Sequence, residues 1–85
     1  MKTLEYVITD PLGIHARPAG ELVKAAKDFR CTITLEKDGR CADCKSIFGI
    51  MALAVKKGNP VTFTFDGEDE EEAFRAVGGF VKENL

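Results

Sequence analysis

Two residues, Asp38-Gly39, limit the topology of this chain more than any others. They separate a segment with alternating apolar residues from a short one that returns beside it. From Cys31 to Lys37, the residues Cys31, Ile33 and Leu35 share one side, and Arg40 to Cys44 is a short return segment. A two-residue Asp-Gly connection is a strong hairpin signal, and a hairpin joins antiparallel strands. Two further strands follow from the same period of two. Leu4, Tyr6 and Ile8 alternate with Thr3, Glu5, Val7 and Thr9; after Asn59-Pro60, Val61, Phe63 and Phe65 alternate with Thr62 and Thr64.

Three segments change to a helical period. Ala19, Leu22, Val23, Ala26 and Phe29 predict a first helix from about Ala16 to Asp28 or Phe29. Lys45 to Val55 predicts a second, with Ser46 as N-cap, Gly58 as terminator, and Ile50, Leu53 and Ala54 pointing inward. Asp66-Gly67 turns the chain into a last helix, where Ala73, Val77, Phe80 and Val81 supply the buried face. Its opening run, Glu68-Asp69-Glu70-Glu71-Glu72, complements the helix dipole and needs no functional explanation. Gly78-Gly79 weakens this helix without an evident role. The order is strand, helix, strand, strand, helix, strand, helix. It predicts an α+β domain spanning 1–85, with the helices packed on one face of an antiparallel sheet.

Composition narrows the functional classes. The net charge is −2, so bulk attraction to nucleic acid or to an anionic membrane is not expected. No apolar run approaches a membrane span, and Met1 to Glu5 lead into alternation rather than a signal peptide, so a cytoplasmic protein is expected. The three cysteines read as reduced thiols. Cys41-Ala42-Asp43-Cys44 is formally a C-x-x-C pair. One such pair and one distant histidine offer too few ligands for a zinc site, and a short strand after a turn is the wrong context for a redox motif. No metal and no cofactor are expected.

The chemistry concentrates in Asp10 to Ala19. This stretch contains the only histidine, His15, placed where the first helix should start. Pro18 is tolerated in a first helical turn, where its missing N–H would be an orphan. Unpaired N–H groups and the positive end of the helix dipole make such a position receptive to phosphate. They disfavour a cation there, leaving a ring nitrogen free to act as a nucleophile. Arg17, Gly20, Lys24 and Lys27 share the side of the helix opposite its apolar stripe. That strip is either a solvated face or a guide for an acidic partner. Ile47, Phe48 and Met51 form a second apolar group on the second helix, open to core burial or to use as a docking patch. These arguments do not choose between binding a phosphate and carrying one.

Two motifs coincide with a known family. Gly13-Ile14-His15-Ala16-Arg17-Pro18 resembles the phosphorylation-site motif of HPr, the histidine-containing phosphocarrier of the bacterial phosphoenolpyruvate:sugar phosphotransferase system. Lys45-Ser46-Ile47-Phe48-Gly49-Ile50-Met51 resembles that family's serine-site motif. The resemblance extends over essentially the whole chain. It implies an HPr-like open-faced β-sandwich, a four-stranded antiparallel sheet of order 1-4-2-3 covered on one face by three helices. It also implies a carrier rather than an enzyme, with His15 taking a phosphoryl group on Nδ1 from phospho-Enzyme I and passing it to Enzyme IIA domains. Arg17 matches the arginine that interacts with the phosphoryl group. Ser46 matches the serine modified by HPr kinase/phosphorylase, and Ala16, Gly20, Lys24, Lys27, Ile47, Phe48 and Met51 match the shared partner-docking surface. A monomer is expected.

The chain departs from the family pattern at Gly20, where a small residue with a side chain is more usual, and at Cys41 and Cys44. The family's catabolite-repression paralogue lacks the histidine, so His15 argues against that identity. Two other readings remain in view. One is a regulatory module docking on a catabolite-control transcription factor through phosphorylated Ser46. The other is a thiol redox or metal protein using Cys41 and Cys44.

Overall fold

The computed structural model describes residues 1–85. Seven elements follow in the order β1 (Lys2–Val7), α1 (Ala16–Lys27), β2 (Thr32–Lys37), β3 (Arg40–Asp43), α2 (Ile47–Ala52), β4 (Pro60–Asp66) and α3 (Glu70–Asn84). The strands form one antiparallel sheet of order β1-β4-β2-β3. Asp38 and Gly39 both have positive φ (52° and 77°), the signature of the tight hairpin that the dipeptide predicts. The register aligns Leu4 with Phe63 and Phe63 with Leu35, so one row of apolar residues crosses three strands. Thr3, Thr64 and Thr34 form a parallel row on the opposite face.

The three helices cover only the apolar face. Ile33, Leu35, Val61, Phe63 and Phe65 are buried against Leu22 and Ala26 of α1, Ile50 of α2, and Ala73, Val77 and Val81 of α3, in one continuous core. Phe74 packs edge-on against Phe65, with ring centroids 5.6 Å apart. No polar side chain is buried. The cohesion of the core therefore comes from apolar burial and from the backbone ladders.

The second helix is shorter than its apolar run predicts. It ends at Ala52, with Leu53 as C-cap. Ala54 has left-handed φ (51°) and is exposed, whereas the sequence reading points it inward. A residue in that conformation terminates a helix, and here the terminator is an alanine rather than Gly58 four residues on. Lys37 compensates for the early stop: its Nζ donates to the carbonyls of Leu53 and Ala54, at 3.1 and 3.0 Å. Val55 then returns to the core.

Side-chain clamps fix the ends of the other elements. Lys45 Nζ donates to the carbonyls of Phe29 (2.8 Å) and Cys31 (2.9 Å), tying the start of α2 to the α1–β2 connection. Asp69 occupies the N-cap position of α3 without bonding its own helix. Its carboxylate accepts instead from the N–H groups of Arg30 (2.7 Å) and Cys31 (2.9 Å). The acidic run thus contains a structural clamp as well as a dipole complement, a distinction that charge alone does not reveal. In the same turn Gly67 (φ 154°) would place a Cβ 2.7 Å from Cys31 Cα, so only glycine fits that approach. Gly78 and Gly79 do not share this requirement. A Cβ on Gly78 would make an ordinary 3.6 Å contact with Leu4, and one on Gly79 would meet nothing.

The backbone N–H of Arg30, then that of Cys31, holds the Asp69 carboxyl below its ordinary pKa of 3.8. A depressed folded-state pKa contributes stability that is complete above the unfolded-state value and is lost as pH falls through the folded value. Asp69→Asn should therefore lower the urea midpoint at neutral pH and make it fall less steeply below about pH 4. Parallel acid limbs for the two proteins in urea titrations at several pH values would show that the clamp contributes nothing.

Candidate functional site

His15 is the N-cap residue of α1, with extended backbone (φ −92°, ψ −177°), and its imidazole makes no capping hydrogen bond. The carbonyl of His15 accepts from Ala19 N–H at 3.0 Å, which closes the first turn. The N–H groups of Ala16 and Arg17 have no acceptor in the protein, and Pro18 has no N–H to offer. Two donors are thus left beside the imidazole at the positive end of a twelve-residue helix.

Five contacts set the position of this start. Gly13, at φ +66°, lies so close to the α2–β4 connection that a Cβ would fall 2.2 Å from the Val55 carbonyl oxygen. The next residue, Ile14, is buried and donates its N–H to that oxygen at 3.1 Å. On the other side, Thr9 and Asp10 N–H donate to the backbone oxygen of Leu85 at 2.6 and 3.0 Å. Asp10 Oδ1 accepts from Leu12 N–H at 2.8 Å, forming the turn that leads to the histidine. Together these contacts create an open cleft of about 300 Å³ lined by Asp10, His15, Arg17, Pro18, Glu21 and Asn84.

Arg17 projects from the first turn and is 88% exposed; its Nε lies 3.8 Å from Glu21 Oε1 one turn further on. Gly20, Lys24 and Lys27 continue the same helix, with both lysines exposed. Lys24 and Lys27 stand in the last turn, where cations also complement the C-terminal end of the dipole.

The second helix meets this strip. Ile47 Cδ1 lies 3.9 Å from where a Gly20 Cβ would stand, an ordinary contact distance, so α2 packs against α1 beside the basic residues. Phe48 is 85% exposed, Met51 40% and Ile47 36%. The apolar group is thus a surface patch, while Ile50 alone carries this helix's anchoring into the core. Ser46 caps α2, its Oγ accepting from Gly49 N–H at 3.2 Å. The structure therefore brings Ala16, Arg17, Gly20, Ile47 and the Ser46 cap onto adjoining parts of two packed helices.

The cysteine pair does not converge. Cys41 is exposed on β3, while Cys44 is fully buried, and burial pushes its thiol up to about 12. No cluster of His, Cys, Asp or Glu in the chain is arranged to hold a metal ion. Asp10, Glu21 and Asn84 are cleft residues that motif reading did not select. The Arg17–Glu21 spacing of four on one helix was the available signal for Glu21. Nothing in the sequence brings Asn84 to residue 15.

A small domain whose single histidine stands free at a helix start, beside an arginine and an exposed apolar patch, has the anatomy of a carrier that presents one group to partners. Comparison with known proteins agrees. The family model for the phosphorylation site of the HPr component of the phosphotransferase system matches residues 2–83. The phosphocarrier protein HPr of Lysinibacillus sphaericus is 45% identical over 83 residues, covering 98% of this chain and 94% of that protein. A solved histidine-containing phosphocarrier protein of Mycoplasma superposes with a TM-score of 0.94 at 35% identity, covering 96% of this chain and 93% of its own. The HPr-like protein Crh of Bacillus subtilis is 44% identical over 73 residues, 86% of each chain. The chain belongs to the HPr phosphocarrier family; it is a carrier, not an enzyme. No helix is long and apolar enough to cross a membrane.

Replacing Ser46 by Ala removes the α2 cap and should cost about 1 kcal/mol of stability. Truncating Phe48 to Ala should change stability by no more than about 0.5 kcal/mol, because that side chain packs against almost nothing. Urea denaturation of the two variants checks the pair, and a larger loss for Phe48→Ala would mean that the patch is part of the core.

Proposed function

We propose that His15 accepts a phosphoryl group from phospho-Enzyme I and passes it to Enzyme IIA domains, serving sugar uptake in the cytoplasm as a monomer. The observation that carries this reading is the uncapped His15 imidazole beside two unpaired N–H groups and Arg17. A lone pair on Nδ1 attacks the phosphorus of the donor phosphohistidine in line. The donor N–P bond breaks with its electrons returning to the donor nitrogen, and the new N–P bond forms on His15. The Ala16 and Arg17 N–H groups and the Arg17 guanidinium stabilise the phosphoryl oxygens. Transfer onward repeats the step with His15 as leaving group, so the stabilisation must remain moderate.

Partner recognition is assigned to the surface that adjoins the histidine. Ala16, Gly20, Lys24 and Lys27 present a small-residue and cationic strip, and Ile47, Phe48 and Met51 present the apolar patch. An acidic partner with an apolar centre is the complement of that combination. Ser46 is read as the site of regulatory phosphorylation by HPr kinase/phosphorylase. A phosphate there adds negative charge at the start of α2, where the helix tolerates it and an acidic partner does not.

A second reading is supported by the likeness to Crh, a catabolite-repression HPr. In that reading the Ser46-phosphorylated chain docks on a catabolite-control transcription factor. The two roles are compatible on one surface.

Incubation with phosphoenolpyruvate and Enzyme I should place an acid-labile phosphate on the chain, and His15→Ala should take up none. An alanine variant that is still labelled would sink the assignment. Ser46→Asp should keep the wild-type circular dichroism spectrum, slow the labelling of His15, and gain affinity for the transcription factor in a pull-down. Equal labelling rates for wild type and Ser46→Asp would remove the regulatory role.

A further inference from the structure

The cleft beside His15 holds more negative charge than the acceptance of a phosphoryl group requires. One guanidinium, Arg17, faces two carboxylates there, Asp10 and Glu21. The two carboxylates are not equivalent. Asp10 is occupied within its own loop by the Leu12 N–H, at 2.8 Å. Glu21 has a single partner, Arg17, whose Nε lies 3.8 Å from its Oε1. Four residues apart on α1, the two side chains can meet only along this helix face.

We propose that Glu21 is a positioning residue that competes with the phosphoryl group on His15 for the Arg17 guanidinium, and so keeps the phosphorylated histidine ready to give its group away. The inference rests on the reading of His15 as acceptor and adds a control built into the same helix. A guanidinium binds a phosphoryl dianion strongly when nothing else claims it. With Glu21 in reach, Arg17 turns to the phosphoryl group only by leaving a carboxylate uncompensated, and that carboxylate also repels the dianion across the cleft. The long distance and the exposure of the pair make the competition mild, shifting the balance a few-fold rather than abolishing it. A carrier needs a hold of this kind, because a group bound too well does not move on. No bond other than the N–P bond is made or broken.

The test uses potassium phosphoramidate, which transfers its phosphoryl group to an imidazole nitrogen while its nitrogen leaves as ammonia, so no protein donor is required. Phosphorus NMR on the full chain then follows the ionisation of the phosphoryl group on His15 and its transfer to free imidazole. Glu21→Gln should lower the pH midpoint of the phosphoryl titration relative to wild type, since the freed Arg17 favours the dianion. It should also slow transfer two- to five-fold, with the difference fading at high salt. In an Arg17→Ala background the effect of Glu21→Gln should shrink, as expected for a residue that acts through Arg17. Identical midpoints for wild type and Glu21→Gln overturn the proposal, as does an undiminished effect without Arg17. Should Enzyme I fail to label wild type while phosphoramidate succeeds, the relay reading falls and the Glu21 measurement still stands.

Discussion

The hydrogen bond from Ile14 to the Val55 carbonyl, with Gly13 pressed against the same peptide, is the constraint on which the working end of the molecule depends. It ties the loop before α1 to the chain leaving α2, two segments separated by some forty residues of sequence. Burial of Ile14 and Val55 secures the tie from beneath. With it in place, the start of α1 has one position relative to α2, and the orphan N–H groups at residues 16 and 17 point from a fixed origin. Preorganisation of this kind is what makes donors at a helix start effective, since nothing must reorganise when an anion arrives.

The elements were legible where a local pattern determined them. Alternation marked three strands, Asp38-Gly39 marked the hairpin and with it the short return strand, and Ser46 marked a cap; each depends on neighbours within a few residues. The extent of α2 was not legible, because its end is set by Ala54 adopting a conformation usually reserved for glycine, stabilised by Lys37 reaching across from β2. The role of Asp69 was hidden for a similar reason. Within a run of five acids its charge looks like the others, and only the tertiary approach of Arg30 and Cys31 distinguishes it. At the candidate site, His15 and Arg17 were readable from one motif. Ile47, Phe48 and Met51 were visible as a cluster, but whether they faced core or water depended on the packing of α2 against α1. Asn84 reaches the cleft through the fold alone.

The packing of α2 on α1 also bears on how a modification at Ser46 could act at a distance. Ile47 lies directly over Gly20, and Lys45, the residue before the serine, is anchored to two carbonyls of the α1–β2 connection. The start of α2 is therefore held both by α1 and by the chain that follows it. A new charge at Ser46 has little freedom to rearrange the two helices, and its natural effect is on the electrostatic potential of the shared surface.

The burial of Cys44 has a practical consequence. Cys31 and Cys44 lie in the core, and burial raises both thiols above their ordinary range, whereas Cys41 faces solvent on the edge strand. Because the thiolate is the reactive form, a maleimide dye offered at neutral pH meets one addressable sulfur in a chain that carries three. The folded protein thus supplies its own single attachment point for a fluorophore, and docking could be followed by fluorescence without an engineered cysteine.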